Sequence, residues 1–166
     1  MTPLYWVLAC VALQRLAELA WAQRNTARLR RFGAIEADAA GYRYFVALHI
    51  SWLASLALLV PAATQPNWLV LGLFALLQLA RLWVILSLGR YWSTRVLTLP
   101  GAPLVETGPY RWLRHPNYVI VIAEIALLPL AFGAVAIAVA YSAVNLVLIA
   151  RRIRIEDRTL APRRGL

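Results

Sequence analysis

The residue types best suited to chemistry gather in the second half of the chain. Between Gly89 and Tyr118, Tyr91, Trp92, Tyr110, Trp112 and Tyr118 are interleaved with Arg90, Arg95, Arg111 and Arg114, while Gly101, Pro103, Gly108, Pro109 and Pro116 set turns. Aromatic faces beside guanidinium groups suit a flat, partly cationic ligand held by stacking and cation–π contact. The same composition also describes a belt at the membrane interface, and both readings stand at this point. His115-Pro116-Asn117-Tyr118 follows. Proline at a first helical position is an ordinary helix start; functionally, His115 would reach a ligand at the helix N-terminus, where exposed N–H groups favour a carboxylate. Further on, Arg152 and Glu156 stand four residues apart. If the last helix runs through them they share one face, where Arg152 would bind an anion and Glu156 an ammonium. The plainer alternative is a basic anchor with a surface ion pair.

These residues need a scaffold, and the composition of the chain restricts it. Of the 166 residues, 62% are hydrophobic and 14% charged, with a mean hydropathy of +0.66. Soluble domains are about 45 to 50% apolar and about 25% charged, so a soluble enzyme is excluded and the fold class is all-α, a polytopic integral membrane protein of about five transmembrane helices. The net charge of +10 comes from 17 basic residues, all arginine. They lie mostly between apolar blocks, which fits membrane topology and not nucleic acid. A single cysteine, Cys10, and two distant histidines, His49 and His115, leave no disulfide framework or metal cluster.

The spans are expected at Leu4 to about Ala22, Tyr42–Val60 and Trp68–Leu88, followed by a tight hairpin over residues 118–150 that breaks between Pro129 and Gly133. A single kinked element is the alternative for that last segment. Gln14, Arg15 and Glu18 make the first span too polar for a signal-peptide core, so it is expected to be retained. Arg24, Arg28, Arg30 and Arg31 fall in an expected loop at 23–41, Arg90, Arg95, Arg111 and Arg114 in the next, and Arg151, Arg152, Arg154, Arg158, Arg163 and Arg164 after the last span; the turns at 61–67 and 129–133 carry no charge. Alternate loops therefore place the N-terminus outside and the C-terminus in the cytoplasm, in what the lysine-free, arginine-rich composition suggests is a bacterial inner membrane. One domain covers 1–166: three spans to 88, a cytoplasmic loop at 89–116, a hairpin at 117–150 and a cytoplasmic end at 151–166. Within the spans, Arg15, Glu18, Arg81 and Glu124 must pair or line an interior cavity, since a lone charge in hydrocarbon costs several kcal/mol. His49 reads as a packed or interhelically bonded core residue.

Gly108-Pro-Tyr110, then Arg114-His-Pro-Asn-Tyr118, an apolar hairpin and Arg152-Ile-Arg-Ile-Glu-Asp-Arg-Thr-Leu160 together resemble the isoprenylcysteine carboxyl methyltransferase family over about residues 89 to 160. The resemblance looks closest to small bacterial members thought to O-methylate lipidic polyketides such as alkylpyrones. It implies a five-helix membrane enzyme using S-adenosyl-L-methionine, held by the cytoplasmic loop and the C-terminal helix. It implies further that His115, Pro116, Asn117 and Tyr118 form the family's His-Pro-x-Tyr cofactor segment. Tyr110, Ala102-Pro103-Leu104-Val105, Arg95 and Glu156 would supply other cofactor contacts, and Arg152 the substrate contact. Arg152 and Glu156 would then stand at the reaction centre. The chain departs from the family at Ala102, where a histidine can stand, at Arg95 in place of glutamine, at Ile120 in place of glycine, and at Asp157 in place of a second glutamate. The expected partners are a lipophilic or lipidated acceptor, such as an isoprenylcysteine or an alkylpyrone, and membrane lipids. Rival readings are a phospholipid N-methyltransferase, which needs a base near its amine, and a non-catalytic lipid-binding scaffold.

Overall fold

The computed structural model describes residues 2–164, with the side chain of Arg164 excepted; Met1, Gly165, Leu166 and that one arginine of the C-terminal basic run lie outside the described residues. Five α-helices carry the fold: α1 (Pro3–Arg31), α2 (Ala39–Leu59), α3 (Trp68–Leu88), α4 (Pro116–Ala131) and α5 (Val135–Leu160). All but α4 are long and apolar enough to cross a membrane. The start of α3 is set locally, because the Asn67 side chain accepts from the amides of Leu69 and Val70 at 3.1 and 3.2 Å. The hairpin is asymmetric. With 16 residues α4 is about 24 Å long, short of a 30 Å hydrocarbon layer, whereas α5 has 26 and projects beyond it.

The first helix corrects the expected boundaries. It does not end near Ala22 but runs on to Arg31, through about the first half of the expected 23–41 loop. Polar residues there have protein partners: Asn25 Nδ2 donates to the carbonyls of Gly89 and Trp92, both at 3.0 Å, and Thr26 Oγ1 lies 2.9 Å from Ser93 Oγ. After the helix, β1 (Ile35–Glu36) pairs antiparallel with β2 (Leu97–Thr98), Ile35 opposite Thr98. One end of the bundle is thus knitted to the long loop.

Leu4, Leu8, Trp52, Leu56, Ile125 and Leu128 belong to one apolar core. Toward the loop, the four intramembrane ions close a ring. Arg15 meets Glu18 at 3.0 Å and Glu124 at 2.7 Å, and Arg81 meets the same two acids at 2.7 and 3.3 Å. Each carboxylate has two guanidinium partners, so the ring is formally neutral and no charge faces hydrocarbon alone.

Candidate active site

The aromatic run divides once it is folded. Trp92 is buried against Ala22 and Ile85, while Trp112 is exposed and tilts against Trp83 at 6.1 Å between ring centroids. Gly108 makes the close approach possible: its φ is +57°, and a Cβ there would lie 2.2 Å from Ser87 Oγ of α3. Tyr91 and Tyr110 are left to face a cavity of about 350 Å³ at the loop end, walled also by Pro103, Leu104, Val105, Glu156 and Arg163. Arg163 holds the loop strip in place, donating from Nε to the Ala102 carbonyl and from Nη2 to that of Pro103, each at 3.0 Å.

A second cavity, of about 450 Å³, opens between α1, α2 and α5. Its apolar wall includes Leu16, Leu19, Val46 and Leu53, and its polar wall includes His115, Asn117, Tyr118 and Arg152. The two cavities share Arg95, Tyr110, Arg114 and Glu156 as a common wall. Both volumes fall in the range of small-molecule sites.

At this wall the helix spacing of α5 does what it promised. Arg152 and Glu156 lie one turn apart and converge on one hydroxyl: Tyr118 donates to Glu156 Oε2 and accepts from Arg152 Nε at 3.0 Å. Arg152 is 7% exposed. It also donates to the Thr94 carbonyl at 2.6 Å, and its guanidinium lies 4.9 Å from the centre of the Phe45 ring. His115 occupies the N-cap position of α4 without a side-chain cap bond, which frees its ring. That ring stacks on Tyr118 at 5.4 Å and places Nε2 3.1 Å from Asp157 Oδ1 and Nδ1 3.8 Å from Glu156 Oε2. Burial, and then the negative charge of Glu156, raise the Tyr110 hydroxyl above the usual phenol range, so it stays a neutral donor. Arg95 pairs with Glu36 at 2.6 Å and lies over the Tyr42 ring at 4.4 Å. Burial works against the Glu36 charge, but hydrogen bonds from Arg95 and Arg30 outweigh it and hold that carboxyl below the usual range.

The structure sorts the expected site residues between the two cavities. Pro103, Leu104 and Val105 line the first; His115, Asn117, Tyr118 and Arg152 line the second; Arg95, Tyr110 and Glu156 line both. Ala102 and Pro116 line neither: the former offers its carbonyl to Arg163, and the latter is buried as the first residue of α4. Sequence reasoning passed over Tyr42, Phe45 and His49 as wall residues. Arg114 stood in the run of arginines and aromatic residues, whereas only packing brings α2 to the site. The ion ring also reaches the site, since Arg15, Glu18 and Arg81 line the second cavity and Arg81 Nη1 stands 3.5 Å from Asn117 Oδ1.

Comparison with known proteins gives this geometry a context. The model of the isoprenylcysteine carboxyl methyltransferase (ICMT) family matches residues 70–162. The chain is 41% identical over 162 residues to uncharacterized protein YpbQ of Bacillus subtilis (strain 168), covering 95% of this chain and 96% of that one. No solved structure gives a significant match.

Proposed function

The chain belongs to the isoprenylcysteine carboxyl methyltransferase family of membrane methyltransferases, and from that premise we propose that it moves the methyl group of S-adenosyl-L-methionine to an oxygen of a lipophilic acceptor. The observation that carries this reading is the shared wall, where a polar cavity at the loop end meets a largely apolar one between helices. The first cavity fits the cofactor in chemistry. It offers the Glu156 carboxylate for an ammonium or sulfonium, Tyr91 and Tyr110 for a flat base, apolar Leu104 and Val105 beside them, and Arg95 and Arg114 for a carboxylate. Bound there, the cofactor would supply an electrophilic methyl group on a positively charged sulfur.

The protein's own part is placement. Tyr118 holds Glu156 and Arg152 in one arrangement, His115 stacks behind Tyr118, and Asp157 fixes the His115 ring. In this reading Glu156 faces the donor and Arg152 orients the anionic oxygen of the acceptor. A carboxylate or acidic enolate is already ionised near neutral pH, so orientation supplies most of the rate. An apolar tail, prenyl or alkyl, lies along Leu16, Leu19, Val46 and Leu53 and reaches the site from the bilayer. Arg152 on the acceptor side disfavours an ammonium headgroup, which separates this reading from a phospholipid N-methyltransferase. The loop end and C-terminus face the cytoplasm, with the N-terminus outside. The test is incubation of purified protein with labelled S-adenosylmethionine and a membrane lipid extract. Label is expected in an O-methyl product, with much less from Glu156→Gln at subsaturating cofactor; absence of cofactor binding by the folded protein would overturn the reading.

A further inference from the structure

His49 is used neither by the apolar core nor by the roles above. It is half-buried on α2 and lines the acceptor cavity. Its Nδ1 lies 2.8 Å from the Phe45 carbonyl oxygen. A carbonyl only accepts, so Nδ1 carries the hydrogen and, in the neutral ring, Nε2 keeps its lone pair. No protein partner takes Nε2 among the described residues. Helical side chains lean toward the N-terminus of their helix, and this bond shows His49 doing so. Its ring therefore lies beside the turn that carries Phe45, whose own ring underlies the Arg152 guanidinium. Tyr42, Phe45 and His49 recur at helical spacing along one face of α2, and all three line the cavity. A basic nitrogen and the anion-orienting arginine thus flank the same space.

We propose that His49 is the proton acceptor in this site whenever the acceptor oxygen arrives as an un-ionised hydroxyl. The proposal rests on the methyl transfer proposed above. As the acceptor oxygen bonds to the methyl carbon, the carbon–sulfur bond breaks and its electron pair remains on sulfur. The hydroxyl proton passes to Nε2, giving an imidazolium that returns the proton to water after the product leaves. The charged groups around His49 come from every neighbouring helix: Arg15 and Glu18 of α1, Arg81 of α3, Glu124 of α4 and Arg152 of α5. The first four form the neutral ring; Glu156 of α5 and Arg95 and Arg114 of the loop line the same cavity, and Arg152, joined to Glu156 through the Tyr118 hydroxyl, orients the oxygen losing its proton.

The test uses His49→Asn, whose amide keeps a donor for the Phe45 carbonyl but has no basic nitrogen, with His49→Gln as a second variant. Rates are measured across pH for a long-chain 4-alkylphenol and a fatty acid of equal length, with cofactor affinity followed by calorimetry. Loss of the base should slow phenol methylation on the order of 100- to 10,000-fold and fatty-acid turnover far less, so that the ratio of the two rates falls by at least about tenfold. The acid limb of the phenol pH profile should vanish with it. Independently of turnover, a long-chain 4-alkyl-2-nitrophenol bound to wild type without cofactor should show its phenolate band below the pH at which it ionises in detergent alone, and the variants should abolish that shift. Equal losses for both acceptors, or no phenolate shift in wild type, would overturn the role of His49. Failure of cofactor binding with the phenolate shift present would instead strike the methyltransferase reading.

Discussion

Replacing Glu156 by glutamine isolates one negative charge at the wall between the cavities. The change is nearly isosteric, and the side-chain amide carbonyl of the Glu156→Gln variant can still accept from the Tyr118 hydroxyl that now binds the carboxylate. The link to Arg152 through that hydroxyl therefore survives and the fold should hold. What disappears is the charge that faces the donor cavity. Breaking a desolvated ion pair costs about 2 to 5 kcal/mol, but the Glu156 side chain is 27% exposed, which places the loss at the lower end. About 2 kcal/mol corresponds to roughly a thirtyfold weaker Kd. Calorimetric titration of detergent-purified protein with S-adenosylmethionine reads this directly. S-adenosylhomocysteine, which lacks the sulfonium charge but keeps the ammonium, shows whether one or both cations are felt. An unchanged Kd in a variant with wild-type thermal stability would remove Glu156 from the cofactor site.

Arg152→Lys keeps the charge but loses the planar fork that reaches both Tyr118 and Thr94; it should retain most cofactor affinity while raising the acceptor KM or lowering kcat, and Arg152→Ala should be nearly inactive toward an anionic lipid, as steady-state kinetics will show. With acceptors of graded length, each methylene buried among the helices should improve affinity about fourfold, from about 0.8 kcal/mol apiece. In a Cys10→Ser background, Thr64→Cys should label from outside and Leu97→Cys from the cytoplasm, and labelling of both from one side would refute the orientation. Gly108→Ala forces a side chain to a φ of +57° and a Cβ toward Ser87; a loss of about 1 to 3 kcal/mol is expected, read as a lower detergent Tm.

How much of this was legible in the chain varied with the kind of signal. Both ends of α3 matched the expected Trp68–Leu88, because Asn67 follows two prolines and Gly89 ends the apolar run. The extension of α1 beyond Ala22 was hidden, since hydropathy marks lipid contact and Asn25 and Thr26 serve a protein surface instead. Two-residue strands at 35–36 and 97–98 are too short to leave a pattern. On α5, the spacing of Arg152 and Glu156 correctly put them on one face, and the intramembrane ions paired with one another while Arg15, Glu18 and Arg81 also reached a cavity wall. His49 reads from the chain as a core residue. Its place on that wall depends on how α2 packs, and a lone histidine in an apolar segment carries no mark of that.

The ring of Arg15, Glu18, Arg81 and Glu124 also bears on how the protein is made. Arg15 and Glu18 pair within α1, but α3 would carry Arg81, and α4 Glu124, unmatched if it entered the bilayer alone, and one such charge at mid-depth costs about 2.5 to 3.5 kcal/mol during insertion. Glu18 can take Arg81 once α3 arrives, which leaves one positive charge in excess until Glu124, 43 residues after Arg81, is synthesised. Biogenesis must therefore hold the early helices beside the insertion machinery, or in a shallow position at the interface, until α4 arrives to neutralise them. The residues that keep the finished acceptor cavity polar on one side thereby make assembly of the bundle a concerted event and not a helix-by-helix one.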